Sequence, residues 1–262
     1  MISTLTSALR RFTFADWAIA CVPLVMVAGF YALRSQHRDA YYLFVKEDGP
    51  AETLQALCVL GASVTAAFTA FRLKACKQRV LALLMGGFAL LTFVVFGEEI
   101  SWGQRIFGWS SSEYFQSVNM QKETNLHNDV RLKYVVHPTL ITAGLYATFS
   151  PLLHEALRRR RRPFATFFTT ELPTLGFFAV FTGVYVIYEY LNPLIAPYYH
   201  GFDVILWQDL EMAESFLYAG VLGWTVLKLR GVRALFGEPS HAAAAVTSAP
   251  AGETARARSV RV

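Results

Sequence analysis

Residues 80–97, VLALLMGGFALLTFVVFG, contain no charged side chain and decide the fold class. A helix needs about 20 mostly apolar residues to cross the hydrocarbon core of a bilayer. Five further segments have similar length and composition: residues 17–33, 53–71, 134–153, 172–191 and 204–227. We therefore predict an all-α integral membrane bundle of six transmembrane helices.

The composition of the whole chain supports a membrane protein. Hydrophobic residues make up 54% of the 262 residues and charged residues only 16%, whereas a soluble domain carries about a quarter charged residues. The formal net charge of +5 is not accompanied by a basic–aromatic face, so nucleic acid is not an expected partner. Cys21, Cys58 and Cys76 form no CxxC pattern, and neither disulfides nor a zinc–thiolate site are indicated.

Basic residues predict the orientation of the spans. Arginine and lysine concentrate before the first span, between spans two and three, in the five-arginine run at residues 158–162, and after the last span. The positive-inside rule therefore places both termini in the cytoplasm. The apolar run after Arg10 and Arg11 is too long for a signal peptide. We predict a membrane domain at residues 1–230 and a disordered, basic cytoplasmic tail at residues 231–262.

Acidic residues gather at the opposite, outer ends of the spans. Residues 97–105, GEEISWGQR, place Glu98 and Glu99 at the exit of span three, where acids oppose the helix dipole. Either the helix continues outward or these acids have a partner. In a continued helix, Glu98, Trp102 and Arg105 share one face, and the simplest alternative to a functional site is a Glu98–Arg105 ion pair.

The outer loop after span three holds a second polar motif. Residues 110–113, SSSE, form a capping-box pattern that predicts a short helix lying on the membrane surface. Residues 119–128, NMQKETNLHN, follow it and bring Asn125, His127 and Asn128 towards span four. Histidine changes protonation or binds metal near neutral pH more readily than other side chains, so we consider His127 a candidate site residue.

The sixth span carries the strongest functional signal. Glu211 and Glu214 are i, i+3 neighbours on one helical face, and Glu214 lies roughly 16 Å from the predicted helix start. Two close carboxylates in a low dielectric must share a proton, bind a cation or pair with a base. Ionisable groups at this depth are functional candidates by default, although a structural, hydrogen-bonded acid is the alternative.

The predicted topology brings these groups into one outer layer, together with Glu52. We expect catalytic roles for Glu98, Glu99, His127, Glu211 and Glu214, and substrate binding by Trp102, Arg105, Asn125 and Asn128. Carboxylate and imidazole ligands also allow a divalent metal. Its predicted ligands are Glu99, His127, Glu189 and Glu211, although no motif specifies which ion.

The motifs GEEISWGQR (97–105) and NxQxETNLHN (119–128), together with residues 47–52, EDGPAE, resemble a family of bacterial polytopic inner-membrane proteins of uncharacterised function. The resemblance covers residues from about 40 to 220 and implies the bacterial inner membrane, but no reaction. The CAAX-type intramembrane proteases use Glu-Glu-x-x-x-Arg, which here has Gly103 at the arginine position. The HxxxH pair of alkaline-ceramidase-like hydrolases is also missing.

Three functions are consistent with these observations. The first is a membrane enzyme, a hydrolase or transferase that acts on a lipid or lipid-linked substrate from the outer side. The second is a proton- or cation-coupled transporter that uses Glu211 and Glu214. The third is a non-catalytic assembly factor that docks a partner on its outer loop. Membrane lipids are the expected partners, and the sequence does not specify an oligomeric state.

Overall fold

The computed structural model describes residues 13–46, 48–156, 167–195 and 208–236, and this part of the chain is all-α. Its main helices are α1 (Phe14–Gln36), α2 (Arg38–Val45), α3 (Pro50–Ala75), α4 (Arg79–Glu99), α5 (Glu113–Val118), α6 (Lys133–Ala156), α7 (Leu172–Val186) and α8 (Gln208–Phe236). A 3-10 turn, Ser101–Gly103, and a one-turn helix, Gln104–Phe107, follow α4. Helix α7 continues through a π-helical turn, Ile187–Leu191, into Asn192–Ile195.

Four helical segments of the described chain are long and apolar enough to cross a membrane: Phe14–Gln36, Arg38–Ala75, Arg79–Glu99 and Leu172–Leu194. The prediction of a multi-pass helical membrane protein is confirmed at this level. The other two predicted spans are also helical, as α6 and α8. Histidine, tyrosine, threonine and proline dilute the apolar character of α6, and charged residues that of α8.

The outward surface of these helices is apolar, as expected of a helix that faces lipid. Helix α4 exposes Leu83, Leu90 and Phe93 by 77%, 65% and 49% of their surface. A soluble monomer rarely leaves contiguous apolar surface of this kind uncovered. The exposure pattern therefore agrees with the length and composition of the spans.

Helices α3, α7 and α8 form the centre of the bundle. Helix α3 packs between α4 and α8, while α7 contacts α1, α6 and α8. Glycine allows the closest of these approaches, because a Cβ atom at Gly176 would lie 1.8 Å from the carbonyl oxygen of Ala20. Helices α3 and α8 also share a hydrogen bond of 2.6 Å between the hydroxyls of Thr65 and Thr225.

Polar groups join the helices at both ends of the bundle. At the predicted outer end, Asp209 of α8 forms an ion pair with Arg34 and accepts a hydrogen bond from Tyr41, so α8 is tied to α1 and α2. At the other end, Lys228 of α8 lies 2.5 Å from Glu171, which precedes α7. These contacts fix the register of α8, the helix that carries Glu211 and Glu214.

Two predicted features lie wholly or partly outside the described residues. The arginine run at 158–162 is outside them, as are residues 237–262 of the predicted tail. Helix α8 continues to Phe236, six residues beyond the predicted domain boundary at 230. The short helix predicted in the outer loop forms as α5, which begins at Glu113.

Candidate functional site

Helix α4 ends at Glu99, and the chain then turns sharply. Ser101 and Trp102 have φ angles of 47° and 53°, and Gly103 follows at 81°. The left-handed region is costly for residues other than glycine, and it persists only where the surrounding structure imposes it. Conformations of this kind cluster at functional sites.

The turn folds Trp102 back onto the end of α4. A Cβ atom at Gly97 would lie 2.9 Å from the indole ring, so glycine is needed at that position. The indole Nε1 donates a hydrogen bond of 2.8 Å to Oε1 of Glu98. The prediction that Glu98, Trp102 and Arg105 share one helical face is therefore wrong, because the helix ends before Trp102. Trp102 nevertheless contacts Glu98 through this hydrogen bond. The side chain of Arg105, and with it the predicted ion pair, lies outside the described part of the structure.

The two polar motifs of the sequence bind each other. The amide of Asn125 donates to the Ser101 hydroxyl at 2.9 Å, and this hydroxyl donates to Glu123 at 2.5 Å. The side-chain oxygen of Gln104 accepts the backbone N–H of Thr124 at 2.8 Å. The first motif thus anchors the second over the end of α4.

Asparagine side chains hold the second motif in shape. Asn119 donates to the carbonyl of Asn125 at 2.8 Å and accepts the backbone N–H of Gln121 at 2.9 Å. Asn128 donates to the side chain of Gln121 at 2.6 Å. The predicted substrate ligands Asn125 and Asn128 therefore make internal bonds of the loop, and Asn125 is only 2% exposed. Their role in substrate binding stays a prediction.

The loop places His127 beside Glu98. Oε2 of Glu98 accepts the backbone N–H groups of Leu126 at 2.5 Å and of His127 at 3.1 Å. The imidazole Nδ1 of His127 lies 3.7 Å from the same oxygen, an ionic contact beyond hydrogen-bond length. This Nδ1 is buried and has no hydrogen-bond partner among the described residues.

The surroundings of His127 favour its charged form. Burial alone would lower the pKa of the imidazole, but contact with Glu98 and the charges of Glu99 and Glu214 outweigh it and raise the pKa to about 9. A histidine with this pKa is protonated at neutral pH. The site thus combines a proton donor with nearby carboxylates.

Three of these carboxylates form a group between α4 and α8. Glu99, Glu211 and Glu214 interact electrostatically with one another and with His127. Tyr218 donates a hydrogen bond of 2.9 Å to Glu99, and Tyr185 donates one to Glu214. In the described part of the chain no Lys or Arg forms an ion pair with any of the three. We call Glu99, Glu211 and Glu214 the carboxylate cluster.

Gln55 of α3 contacts the helix that carries two members of this cluster. Its side chain is fully buried, and Nε2 donates to the backbone carbonyl of Glu211 at 2.6 Å. The same nitrogen lies 3.4 Å from the hydroxyl of Ser215. The oxygen Oε1 has no hydrogen-bond partner in the structure as described. A buried acceptor left in this state is costly unless a ligand or water satisfies it.

Glu189, a predicted metal ligand, has a different neighbour. It lies in the π-helical turn after α7, and its Oε1 is 2.5 Å from Nδ1 of His137. The ring of His137 packs edge-on against Tyr185 at 5.6 Å. Across the described residues no group of three or more His, Cys, Asp or Glu side chains is arranged to hold a metal ion. The metal and its four predicted ligands stay a prediction.

Sequence reasoning missed three residues of the site. Tyr218 follows Glu214 by four positions on the same face of α8, and Gln55 follows Glu52 by three on α3, so helical spacing could have identified both. Tyr185 stands in an apolar segment with no sequence signal that distinguishes it. The structure does bring the candidate catalytic residues together. Glu98 contacts His127, and the carboxylate cluster of Glu99, Glu211 and Glu214 interacts electrostatically with His127.

Searches against models of protein families, characterised proteins and solved structures find no match to this chain.

Proposed function

We propose that this protein is an integral membrane enzyme that performs general acid–base chemistry on a lipid or lipid-linked substrate at the outer face of the bacterial inner membrane. The observation that carries the proposal is the placement of His127 beside Glu98 and within electrostatic reach of Glu99 and Glu214. The loop and helices that supply these groups are far apart in the sequence. A proton donor beside carboxylates is the arrangement that general acid–base catalysis uses.

The topology in this proposal has six spans, with both termini in the cytoplasm. Helices α6 and α8 are the fourth and sixth spans, in addition to the four segments that satisfy length and composition. The 29 residues of α8 extend about 43 Å at 1.5 Å per residue, which exceeds the roughly 30 Å of the hydrocarbon core. Asp209, Glu211 and Glu214 then lie in its outer half.

In this mechanism the protonated imidazole of His127 acts as the general acid. Glu98 positions it through the backbone of the loop and stabilises its charge. Glu99 or Glu214 acts as the general base towards water or an acceptor hydroxyl, since both carboxylates interact with His127. Tyr218 and Tyr185 orient these two carboxylates. The reaction class is hydrolysis or group transfer.

A second candidate function is proton or cation coupling in a transporter. It is favoured by the carboxylate cluster itself, because Glu211 and Glu214 carry no ion pair with Lys or Arg in the described chain. Groups of this kind serve as coupling sites in transporters. Proton flux into liposomes that contain the purified protein would support this candidate, whereas its absence in a protein that converts lipid would exclude it.

The enzyme proposal is tested by lipid analysis of cells. Total lipid extracts are compared by mass spectrometry after expression of the wild type, His127→Ala, Glu99→Gln and, as a control for an exposed acid of the loop, Glu113→Gln. We expect the wild type and Glu113→Gln to change the same lipid species, His127→Ala to leave it unchanged, and Glu99→Gln to change it less than the wild type does. Identical lipid profiles for wild type and His127→Ala, at equal amounts of folded protein, would overturn the proposal.

A further inference from the structure

The carboxylate cluster leaves a charge that the described residues do not balance. Glu98 is matched by His127 and by the N–H groups of Trp102 and Leu126. Glu99, Glu211 and Glu214 share His127 as their nearby cation, and two of the three also receive a neutral tyrosine hydroxyl. Close carboxylates in a low dielectric need further positive charge to remain ionised together. Among the described residues, the cluster can therefore ionise fully only when a further cation binds, and without one it retains a proton.

Gln55 supplies an independent sign of a ligand. Its side chain is fully buried, and its Nε2 is fixed by the Glu211 carbonyl at 2.6 Å, which leaves Oε1 as the free end of the amide. That oxygen accepts no hydrogen bond from the described residues. An acceptor at this position calls for a donor N–H or O–H group. A cation that carries N–H groups would therefore satisfy both the carboxylates of the cluster and this amide oxygen.

We propose that the cluster of Glu99, Glu211 and Glu214, together with the unpartnered Oε1 of Gln55, binds the primary ammonium group of a lipid headgroup. This inference rests on the proposed function, and it names the chemical class of its substrate. A primary ammonium has three N–H donors and a positive charge, so it satisfies both the carboxylates and the amide oxygen. A quaternary ammonium brings the charge but no donor, and an anionic headgroup meets repulsion.

The location of the site fits a lipid ligand. Glu99 ends a helix of membrane-spanning length, and Trp102 beside it is 42% exposed. Tryptophan at the end of a span is typical of the lipid–water interface. Ile106 and Phe107, which follow in the chain, are 70% and 75% exposed. These residues place Glu99, one end of the proposed site, at the level of the membrane where lipid headgroups lie.

The test compares three lipids with identical acyl chains: phosphatidylethanolamine, phosphatidylcholine and phosphatidylglycerol. Binding to the purified full-length protein in a neutral detergent is counted by native mass spectrometry. We expect the wild type to bind phosphatidylethanolamine about tenfold more tightly than phosphatidylcholine, the effect of one good hydrogen bond to a charged group, and phosphatidylglycerol least.

Variants separate charge from hydrogen bonding. Gln55→Leu removes one acceptor, and we expect it to reduce the preference for the primary over the quaternary ammonium while both still bind. Glu211→Gln keeps the shape of the side chain and is expected to weaken the binding of both, whereas Glu113→Gln is the matched control in the loop. Equal binding of phosphatidylethanolamine and phosphatidylcholine by the wild type would overturn the inference, even if Gln55→Leu did not fold.

The outcome is distinguishable from a failure of the proposed enzyme. If the ammonium preference is absent but His127→Ala still abolishes lipid conversion in cells, only this inference falls. If the preference is present and no lipid is converted, the binding site stands and the enzymatic proposal falls.

Discussion

The imidazole of His127 lies against Glu98, with its Nδ1 3.7 Å from Oε2, although 29 positions separate the two residues in the chain. The same carboxylate oxygen accepts the backbone N–H of His127, so Glu98 holds both the main chain and the side chain of the histidine. The contact joins the end of α4 to the loop between α4 and α6. This contact therefore brings residues of the two polar motifs together in one site.

The raised pKa of His127 predicts a pH-dependent stability. Its pKa is about 9 in the folded protein, against an ordinary value of 6.5. Because the folded pKa is higher, the stabilisation is complete below about pH 6.5 and is lost as the pH rises towards about 9. We expect the melting temperature in detergent to fall across this range, by roughly 2–4 °C for each kcal/mol of stabilisation lost. In His127→Gln this decline should disappear, and a parallel decline in both proteins would contradict the assignment.

Glu98→Gln tests whether the hydrogen bonds from Leu126 and His127 to Glu98 hold the loop in place. The substitution removes the charge that faces His127 and turns an amide NH₂ towards N–H groups that need an acceptor. We expect a loss of about 1–3 kcal/mol, the usual effect of an unsatisfied buried donor, and a change in the fluorescence of Trp102, which donates to Glu98. Denaturation of Glu113→Gln, an exposed acid in the same loop, provides the comparison. Unchanged stability and fluorescence in Glu98→Gln would show that the contact does not hold the loop.

The loop network explains why sequence reasoning identified the motifs but misjudged part of their geometry. Glu98 and His127 stood out because charged and imidazole groups are conspicuous beside apolar spans. The end of α4 at Glu99 could not be read from the sequence, because Ser101 and Trp102 adopt left-handed conformations that their residue types disfavour. Only the surrounding contacts, above all Trp102 over Gly97, impose that turn.

The buried partners on the helices were harder to predict for a different reason. Helical spacing shows which residues share a face, but not which faces of distant helices meet. Tyr185 and Glu214 lie on α7 and α8, and their contact depends on how these two helices pack. Four of the six predicted spans have the length and composition of a membrane-crossing helix, so the helical membrane character was easier to predict than the site.

Tyr185→Phe and Tyr218→Phe test whether the tyrosine hydroxyls position the carboxylates. Each substitution removes one hydrogen bond to a carboxylate, of Glu214 and Glu99 respectively, and leaves the ring in place. We expect either change to lower lipid conversion about tenfold or more, the effect of losing a hydrogen bond to a charged group. The pH profile of the reaction should shift as well, because the carboxylate loses a donor that favours its ionised form. A reduced rate with an unchanged pH profile would indicate a merely structural role, and Tyr114→Phe in the outer loop is the matched control.

Asn125→Ala tests the internal network of the loop. The side chain is 2% exposed and donates to Ser101 at 2.9 Å, so its removal leaves buried groups without partners. We expect a destabilisation of about 1–3 kcal/mol and greater proteolysis between α4 and α6. Asn128→Ala, in a less buried position of the same loop, should have a smaller effect. If Asn125→Ala alters lipid affinity without changing proteolysis, Asn125 acts as the substrate ligand predicted from the sequence.

The orientation is tested by labelling with a membrane-impermeant maleimide in a background without native cysteines. Ser112→Cys, just before α5, should react in intact cells, because the proposed topology places this loop outside. Lys74→Cys, an exposed position near the end of α3, should react only after the membrane is permeabilised. The reverse pattern would place the carboxylate cluster on the cytoplasmic side.

The central claim is that His127 and the carboxylate cluster convert a lipid, and reconstitution tests it most directly. Wild-type protein, His127→Ala and Glu113→Gln are placed separately in liposomes made from bacterial inner-membrane lipids, and each lipid species is followed over time by mass spectrometry. We predict that one species is consumed and a product appears with the wild type and Glu113→Gln, and that His127→Ala shows neither change. Equal conversion by His127→Ala, or no conversion by folded wild-type protein, would contradict the account.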